Sequence, residues 1–136
     1  MRILVDSNVL LDVLEPDAAW YEWSAERVVE CATYGRLVIN HVVFAEVSVG
    51  FSSIETLDQK LPRGLYERAP LPWEAAFLAG KAFMEYRRAG GTRRSPLPDF
   101  YIGAHAAVTG MSLLTRDAAR YRTYFPTVEL IAPDTV

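Results

Sequence analysis

The sequence predicts an α/β protein built on a central, mainly parallel sheet of four to five strands, with helices on both faces. Three observations carry that prediction. Short apolar runs recur along the chain, at Ile3-Leu4-Val5, Leu37-Val38-Ile39 and Leu113-Leu114. They lack the alternation of a half-exposed strand, which suits strands covered on both faces. Segments with apolar residues at helical spacing lie between them. No repeat, linker or low-complexity tract interrupts the alternation, and 136 residues is the length of one domain, taken as 1–136.

The elements follow in order. Met1–Val5 reads as a buried strand. Residues 7–14 read as a helix, with Val9, Leu10, Val13 and Leu14 on one face. Glu15-Pro16-Asp17 breaks it, and Asp17 is placed to cap a helix running from Ala18 to Tyr34, closed by Gly35. Leu37-Val38-Ile39 is the second strand. Asn40 caps a helix through Phe51, and Ser52/Ser53 open a shorter one that stops near Pro62. Leu65–Arg68 is open between strand and loop. Leu71-Pro72 opens a long helix to Arg88, with proline in its first turn. Gly90–Pro98 is a loop rich in Gly, Arg and Pro. Asp99–Thr109 is a helix ending at Gly110, and Ser112–Leu114 and Val128–Ile131 are the last strands.

Bulk composition narrows the function classes. The single cysteine, Cys31, allows no internal disulfide and suits a reducing compartment. The opening lacks the basic, apolar and small-residue sequence of an export signal, and no apolar run approaches the roughly 18 residues of a membrane span. A cytoplasmic protein without a membrane partner is expected. Net charge is −3, but it is unevenly spread: residues 1–60 hold 10 acids and 4 bases, residues 61–136 hold 7 acids and 10 bases. Arg87, Arg88, Arg93 and Arg94 precede Asp99, and Arg116, Arg120 and Arg122 surround Asp117. Such local positive charge can bind a phosphate backbone, although solvated surface is an equal use for any one arginine.

Four acids stand where this fold gathers side chains. In a parallel sheet, sites form outside the carboxyl ends of strands. Asp6 closes the first strand and Asp117 follows the Ser112–Leu114 strand. Glu46 and Asp99 belong to helices that begin near the same edge. Glu46 lies in the apolar stretch Val42-Val43-Phe44-Ala45-Glu46-Val47, where a charge needs a partner. Crowded carboxylates repel, and a hard divalent cation relieves them, which points to metal-dependent chemistry on a phosphate-bearing substrate. The plainer readings are that Asp6 and Asp99 cap helices, that Asp117 is a loop acid, and that Glu46 pairs with a buried arginine.

Four motifs in this order resemble the PIN domain family. They are Ile3-Leu4-Val5-Asp6-Ser7-Asn8-Val9-Leu10-Leu11-Asp12, Ala45-Glu46, Pro98-Asp99-Phe100-Tyr101-Ile102-Gly103-Ala104-His105-Ala106, and Leu113-Leu114-Thr115-Arg116-Asp117 followed by Tyr124-Phe125-Pro126. The order and size most resemble VapC-type toxins of toxin–antitoxin pairs. The resemblance implies a PIN-like three-layer α/β/α sandwich and a Mg²⁺- or Mn²⁺-dependent endoribonuclease. It also implies a cognate antitoxin that wraps the toxin, and a homodimer.

On that footing Asp6 and Asp99 are the expected principal metal ligands, with Asp117 beside them. Glu46 is expected to bind a second metal or orient the attacking water. Thr115 is expected to steady a carboxylate, Ser7 and Asn8 to offer donors to phosphate at a helix N-terminus, and Arg116, Arg93 and Arg94 to contact RNA. Replacing Asp6 or Asp99 by Asn should abolish magnesium-dependent cleavage and leave the fold intact.

Other residues invite plainer roles. His41 and His105 lack zinc-ligand spacing, and His105 reads as packed or capping. Cys31 reads as core. Asp12 and Asp17 read as exposed or capping acids, with a place at the pocket rim open to either. Trp20, Tyr21, Trp23 and Phe51 suit core packing, or an interface if exposed. A haloacid-dehalogenase-type site needs a second aspartate where Asn8 stands. A receiver-type site needs a lysine after a strand, and Lys60 and Lys81 do not follow one. No glycine-rich phosphate loop is present. A non-catalytic PIN-like module and a DNA-directed nuclease of the same fold remain alternatives.

Overall fold

A computed structural model describes residues 1–94 and 97–133. Ser95 and Pro96, in the loop expected over Gly90–Pro98, lie outside the described residues. Five strands form one sheet: β1 (Arg2–Val5), β2 (Arg36–Ile39), β3 (Tyr66–Arg68), β4 (Ser112–Leu114) and β5 (Leu130–Ile131). Their order is β3-β2-β1-β4-β5 and every pairing is parallel. Among the described residues seven helices cover the sheet: α1 (Ser7–Leu14), α2 (Tyr21–Tyr34), α3 (His41–Ser48), α4 (Ile54–Lys60), α5 (Trp73–Arg88), α6 (Pro98–Thr109) and α7 (Ala119–Tyr124).

The continuous apolar runs are the central strands. Ile3, Leu4, Val5, Leu37, Val38, Ile39, Leu113 and Leu114 are all buried, as a sheet covered on both faces requires. Local chemistry fixes the helix ends. The Asn40 side chain accepts the Val43 N–H at 2.9 Å and starts α3. Gly110, in the left-handed conformation at φ 70°, closes α6. A methyl group on Gly103 would meet the Phe125 ring at 2.3 Å, so α6 packs onto the end of α7 only because that position is bare.

Several boundaries differ from expectation. The helix expected from Ala18 begins at Tyr21, and Asp17 does not cap it. Residues 15–21 are held instead by successive turns, Ala18 N–H to Glu15 C=O and Tyr21 N–H to Ala18 C=O. The Asn40-capped helix ends at Ser48 rather than Phe51, because turns through Gly50 and Phe51 replace it. Pro98, not Asp99, is the first residue of α6. Within the Leu65–Arg68 segment, left open between strand and loop, Tyr66–Arg68 pairs with β2 as a strand. The last strand is shorter than Val128–Ile131, and α7 was not foreseen.

Candidate active site

The sheet order fixes where a site belongs. From β1 the chain runs out to β2 and β3 on one side, then returns to β4 and β5 on the other. At such a reversal a crevice opens outside the carboxyl ends of the two central strands. These are β1 and β4, whose last residues Val5 and Leu114 are in register. Asp6 is the next residue after β1. Thr115, Arg116 and Asp117 follow β4.

Asp6 is 3% exposed and fully engaged. One carboxylate oxygen accepts the Ser7 N–H at 2.7 Å. The other accepts the Thr115 hydroxyl at 2.8 Å and the Tyr121 phenol at 2.9 Å. The same phenol oxygen lies 3.4 Å from Asp99 Oδ1. Ser7 Oγ donates to Glu46 Oε1 at 2.9 Å and lies 3.5 Å from Asp6 Oδ1. Asp6 is thus linked to Asp99 through one hydroxyl and to Glu46 through another. Glu46 has no arginine partner among its described contacts, so a buried ion pair does not account for it. Asp99 sits in the first turn of α6 without capping it, half-exposed, with Arg120 Nη1 at 3.3 Å from Oδ2.

Asp117 is exposed. Its N–H donates to Thr115 Oγ1 at 3.1 Å, and with Asp99 it lines a cavity of about 380 Å³. Asn8 spans the two strand ends. Its amide group lies 3.5 Å from Asp6 Oδ2 and 3.4 Å from Thr115 Oγ1, and its carbonyl accepts the Arg116 N–H at 3.2 Å.

Electrostatics records the crowding. Burial pushes the Asp6 carboxyl above its usual range and the Asp99 charge pushes it further, against hydrogen bonds from Thr115, Tyr121 and Ser7. Burial likewise raises Glu46, assisted by the charges of Asp6 and Asp99. Asp99 is raised by burial and by Asp117, with Arg120 opposing. Burial, then the charges of Asp6 and Asp99, drive the Tyr121 phenol far above its normal range, so it stays a proton donor.

The donor set is all oxygen, which fits Mg²⁺ or Mn²⁺ rather than zinc. Among the described residues, no three His, Cys, Asp or Glu side chains close on one point; the Tyr121 and Ser7 hydroxyls stand between the carboxylates. Mg²⁺ retains several waters and needs only one or two direct carboxylates, so this donor chemistry fits without a closed cage.

Asp12 and Arg116 depart from expectation. Asp12, read as exposed or capping, is 4% exposed and accepts from Ser24 Oγ at 2.7 Å and from Arg116 Nε and Nη2 at 2.7 and 3.1 Å. Arg116, expected at RNA, therefore has its guanidinium committed to Asp12. Arg93 and Arg94 are exposed, and none of their described contacts reaches the carboxylates. His105 is packed: burial holds its imidazole below the ordinary range, and Nδ1 faces Asn40 Nδ2 at 3.0 Å, steadying the cap of the helix that bears Glu46. His41 is exposed.

Tyr121 has no role in the sequence reading, and Arg120 appears there only as one of the arginines around Asp117. The one available signal was Tyr121, Tyr124 and Phe125 at helical spacing behind Asp117. Tyr121→Phe should lower stability by about 2 kcal/mol, because it removes a buried donor to a charged oxygen. Thermal denaturation in EDTA should show that deficit.

Comparison with known proteins supplies the family. A model of the PIN domain matches residues 3–126. Among solved structures, VapBC2 from Rickettsia felis bound to a promoter DNA fragment aligns with TM-score 0.75 at 18% identity, over 98% of this chain and 100% of that one. VapBC-1 from nontypeable Haemophilus influenzae aligns with TM-score 0.72 at 18% identity, over 97% and 98%. A toxin–antitoxin complex from Klebsiella pneumoniae aligns with TM-score 0.67 at 19% identity, over 98% and 99%. At these identities the likeness is one of fold. No curated protein matches the chain.

Proposed function

The chain belongs to the PIN domain family, and on that premise we propose that it is a metal-dependent endoribonuclease, the toxin of a type II toxin–antitoxin pair. The observation that supports this most is the meeting of Asp6 and Asp99, from different ends of the sequence, at one buried phenol, with Glu46 and Asp117 on either side. A bound Mg²⁺ or Mn²⁺ supplies an activated water and neutralises the charge that develops on the phosphodiester. Asp6 and Asp99 would hold the cation, with Asp117 beside them. Glu46 orients the attacking water and takes its proton, a task suited to a carboxylate that burial makes more basic than usual. Thr115, Asn8 and Tyr121 fix the Asp6 carboxylate. Ser7 and the Asn8 amide spend their donors within the site, on Asp6, Glu46 and Thr115, and the exposed Arg93 and Arg94 attract the strand.

The test is direct. Purified protein should cut RNA with Mg²⁺ or Mn²⁺ and leave it whole in EDTA. RNA bound equally well with chelator, and never cut, would establish a binding module instead. Preferential cutting of a matched DNA strand would make it a DNA nuclease. A neighbouring reading frame whose product binds this protein and abolishes cleavage would identify the antitoxin. Among the described residues no helix is long and apolar enough to cross a membrane, and we place the protein in the cytoplasm with its RNA.

The homodimer has a candidate face. Trp73 and Phe77 are 89% and 69% exposed and share one side of α5 with Met84. Exposed aromatics at helical spacing suit an interface. Trp73→Glu with Phe77→Glu should shift light-scattering mass from dimer to monomer while the circular dichroism spectrum stays unchanged.

A further inference from the structure

We propose that the cavity beside the carboxylates is a nucleotide subsite, which seats one unstacked base and its phosphate next to the bond that is cut. The inference rests on the nuclease reading above and adds what that reading leaves open: which residues hold the flanking nucleotide. The cavity, about 380 Å³, is lined by Asp99 and Asp117 on one side and by Tyr86, Arg120, Thr123 and Tyr124 on the other. Its size falls in the range of small-molecule sites.

Its walls differ in chemistry. The Arg120 guanidinium lies 3.3 Å from Asp99 at its nearest nitrogen and 5.9 Å from the Tyr86 ring centre. A guanidinium presents donors in a fork that matches a phosphate. Arg120 meets only one oxygen of Asp99, which leaves other donors for a ligand. Tyr86 and Tyr124 pack edge-on to each other and to Phe100, at centroid separations of 5.3 to 6.5 Å. The Tyr86 ring is itself stacked on Phe83 at 6.0 Å and lies under Arg120, so it braces the wall, and Tyr124 is the ring offered to a base; rigid aromatic surfaces bind bases of any sequence by stacking. A strand whose phosphodiester lies at Asp99 and Asp117 has its next nucleotide within reach of this wall. A duplex cannot offer a base there without unstacking it, so the subsite selects single-stranded nucleic acid.

Filling the cavity tests the proposal without touching a carboxylate. Thr123 is an exposed lining residue whose hydroxyl bonds only its own helix, so Thr123→Trp leaves the fold intact. Thr127→Trp, exposed and outside the cavity, is the control. The probes are a labelled seven-residue oligouridylate, an oligothymidylate and an abasic ribose-phosphate strand of equal length. Binding is read by fluorescence anisotropy with Ca²⁺ in place of Mg²⁺, and Mn²⁺ affinity by calorimetry. Thr123→Trp should weaken oligouridylate about tenfold, the scale of one lost stacked base, with Mn²⁺ affinity unchanged.

The abasic strand should bind the unsubstituted protein as weakly as oligouridylate binds Thr123→Trp. Comparison with oligothymidylate separates ribose from deoxyribose strands. Arg120→Gln should reduce the salt slope of binding by about one phosphate contact, a change that a purely structural role would not produce. If the protein binds Mn²⁺ but does not distinguish oligouridylate from the abasic strand, or if Thr123→Trp binds like Thr127→Trp, the subsite is overturned alone. If it binds neither cation nor strand, the nuclease reading falls with it.

Discussion

Asp99→Asn should lower kcat/KM for RNA by about a hundredfold or more in Mg²⁺ while leaving the metal-free protein at least as stable as before. The first half follows from the donor set. Asp99 is one of two carboxylates that meet at the Tyr121 phenol, and an amide is a weaker ligand for a hard cation. The second half follows from electrostatics. Burial and the neighbouring Asp117 charge raise the Asp99 carboxyl, more than Arg120 and Tyr121 lower it. Its hydrogen bonds, 3.3 and 3.4 Å long, are weak enough for an amide to replace.

The sign of the pH effect is fixed by that shift. A carboxyl raised in the folded state binds its proton more tightly there than in the unfolded chain. The stability it contributes is present at low pH and is lost as the pH rises from the ordinary carboxylate range through the folded-state value. Asp6 and Glu46 are raised as well and act in the same direction. Metal-free protein should therefore lose stability across that window, and Asp99→Asn should lose less. Differential scanning fluorimetry in EDTA, from pH 4 to 8, measures the difference. Mg²⁺ should stabilise the unsubstituted protein most at the upper end, where the carboxylates are ionised, and Asp99→Asn little anywhere. Equal curves for the two proteins would show that Asp99 carries no strained charge, and cleavage surviving in Asp99→Asn would remove it from the metal set.

What the sequence disclosed depended on how local the cause was. Ile3-Leu4-Val5 and Leu37-Val38-Ile39 announce covered strands by composition alone, and the parallel order then places Asp6 and Asp117 at one edge whatever the loops do. Asn40 caps its helix with its own side chain, a purely local act. Helix α7 was hidden because it is six residues long with two arginines. What fixes it is Phe125 packing on Gly103, a contact set by tertiary structure. Tyr121 was hidden with it, since its role appears only when Asp6, 115 residues away, comes within reach. The start of α2 shifted because Pro16 and its neighbours satisfy their backbone in turns, which leaves Asp17 nothing to cap. Asp12 misled for a further reason: a single acid on an amphipathic helix looks exposed unless its partner is known.

That partner gives the largest expected effect on stability. Arg116→Ala should destabilise the fold by about 3 kcal/mol. The guanidinium makes two contacts to Asp12, whose side chain is only 6% exposed, and its removal leaves a buried carboxylate with Ser24 as its remaining donor. Breaking one side of a buried pair costs about 3–5 kcal/mol; Arg116 is partly exposed, so water recovers some of the loss and the lower end applies. Removing the charge as well should restore much of it: Asp12→Asn with Arg116→Ala should be more stable than Arg116→Ala alone, a non-additivity that urea unfolding measures. The same pair of variants decides between two roles for this arginine. As an RNA contact, Arg116 would raise KM on substitution and leave the melting temperature alone. As a brace, its loss lowers the melting temperature first, because its backbone N–H, bound to Asn8, belongs to the short segment between Thr115 and Asp117 that the Asp12 bond anchors to α1. The geometry favours the brace, and a melting temperature untouched by Arg116→Ala would reverse that assignment.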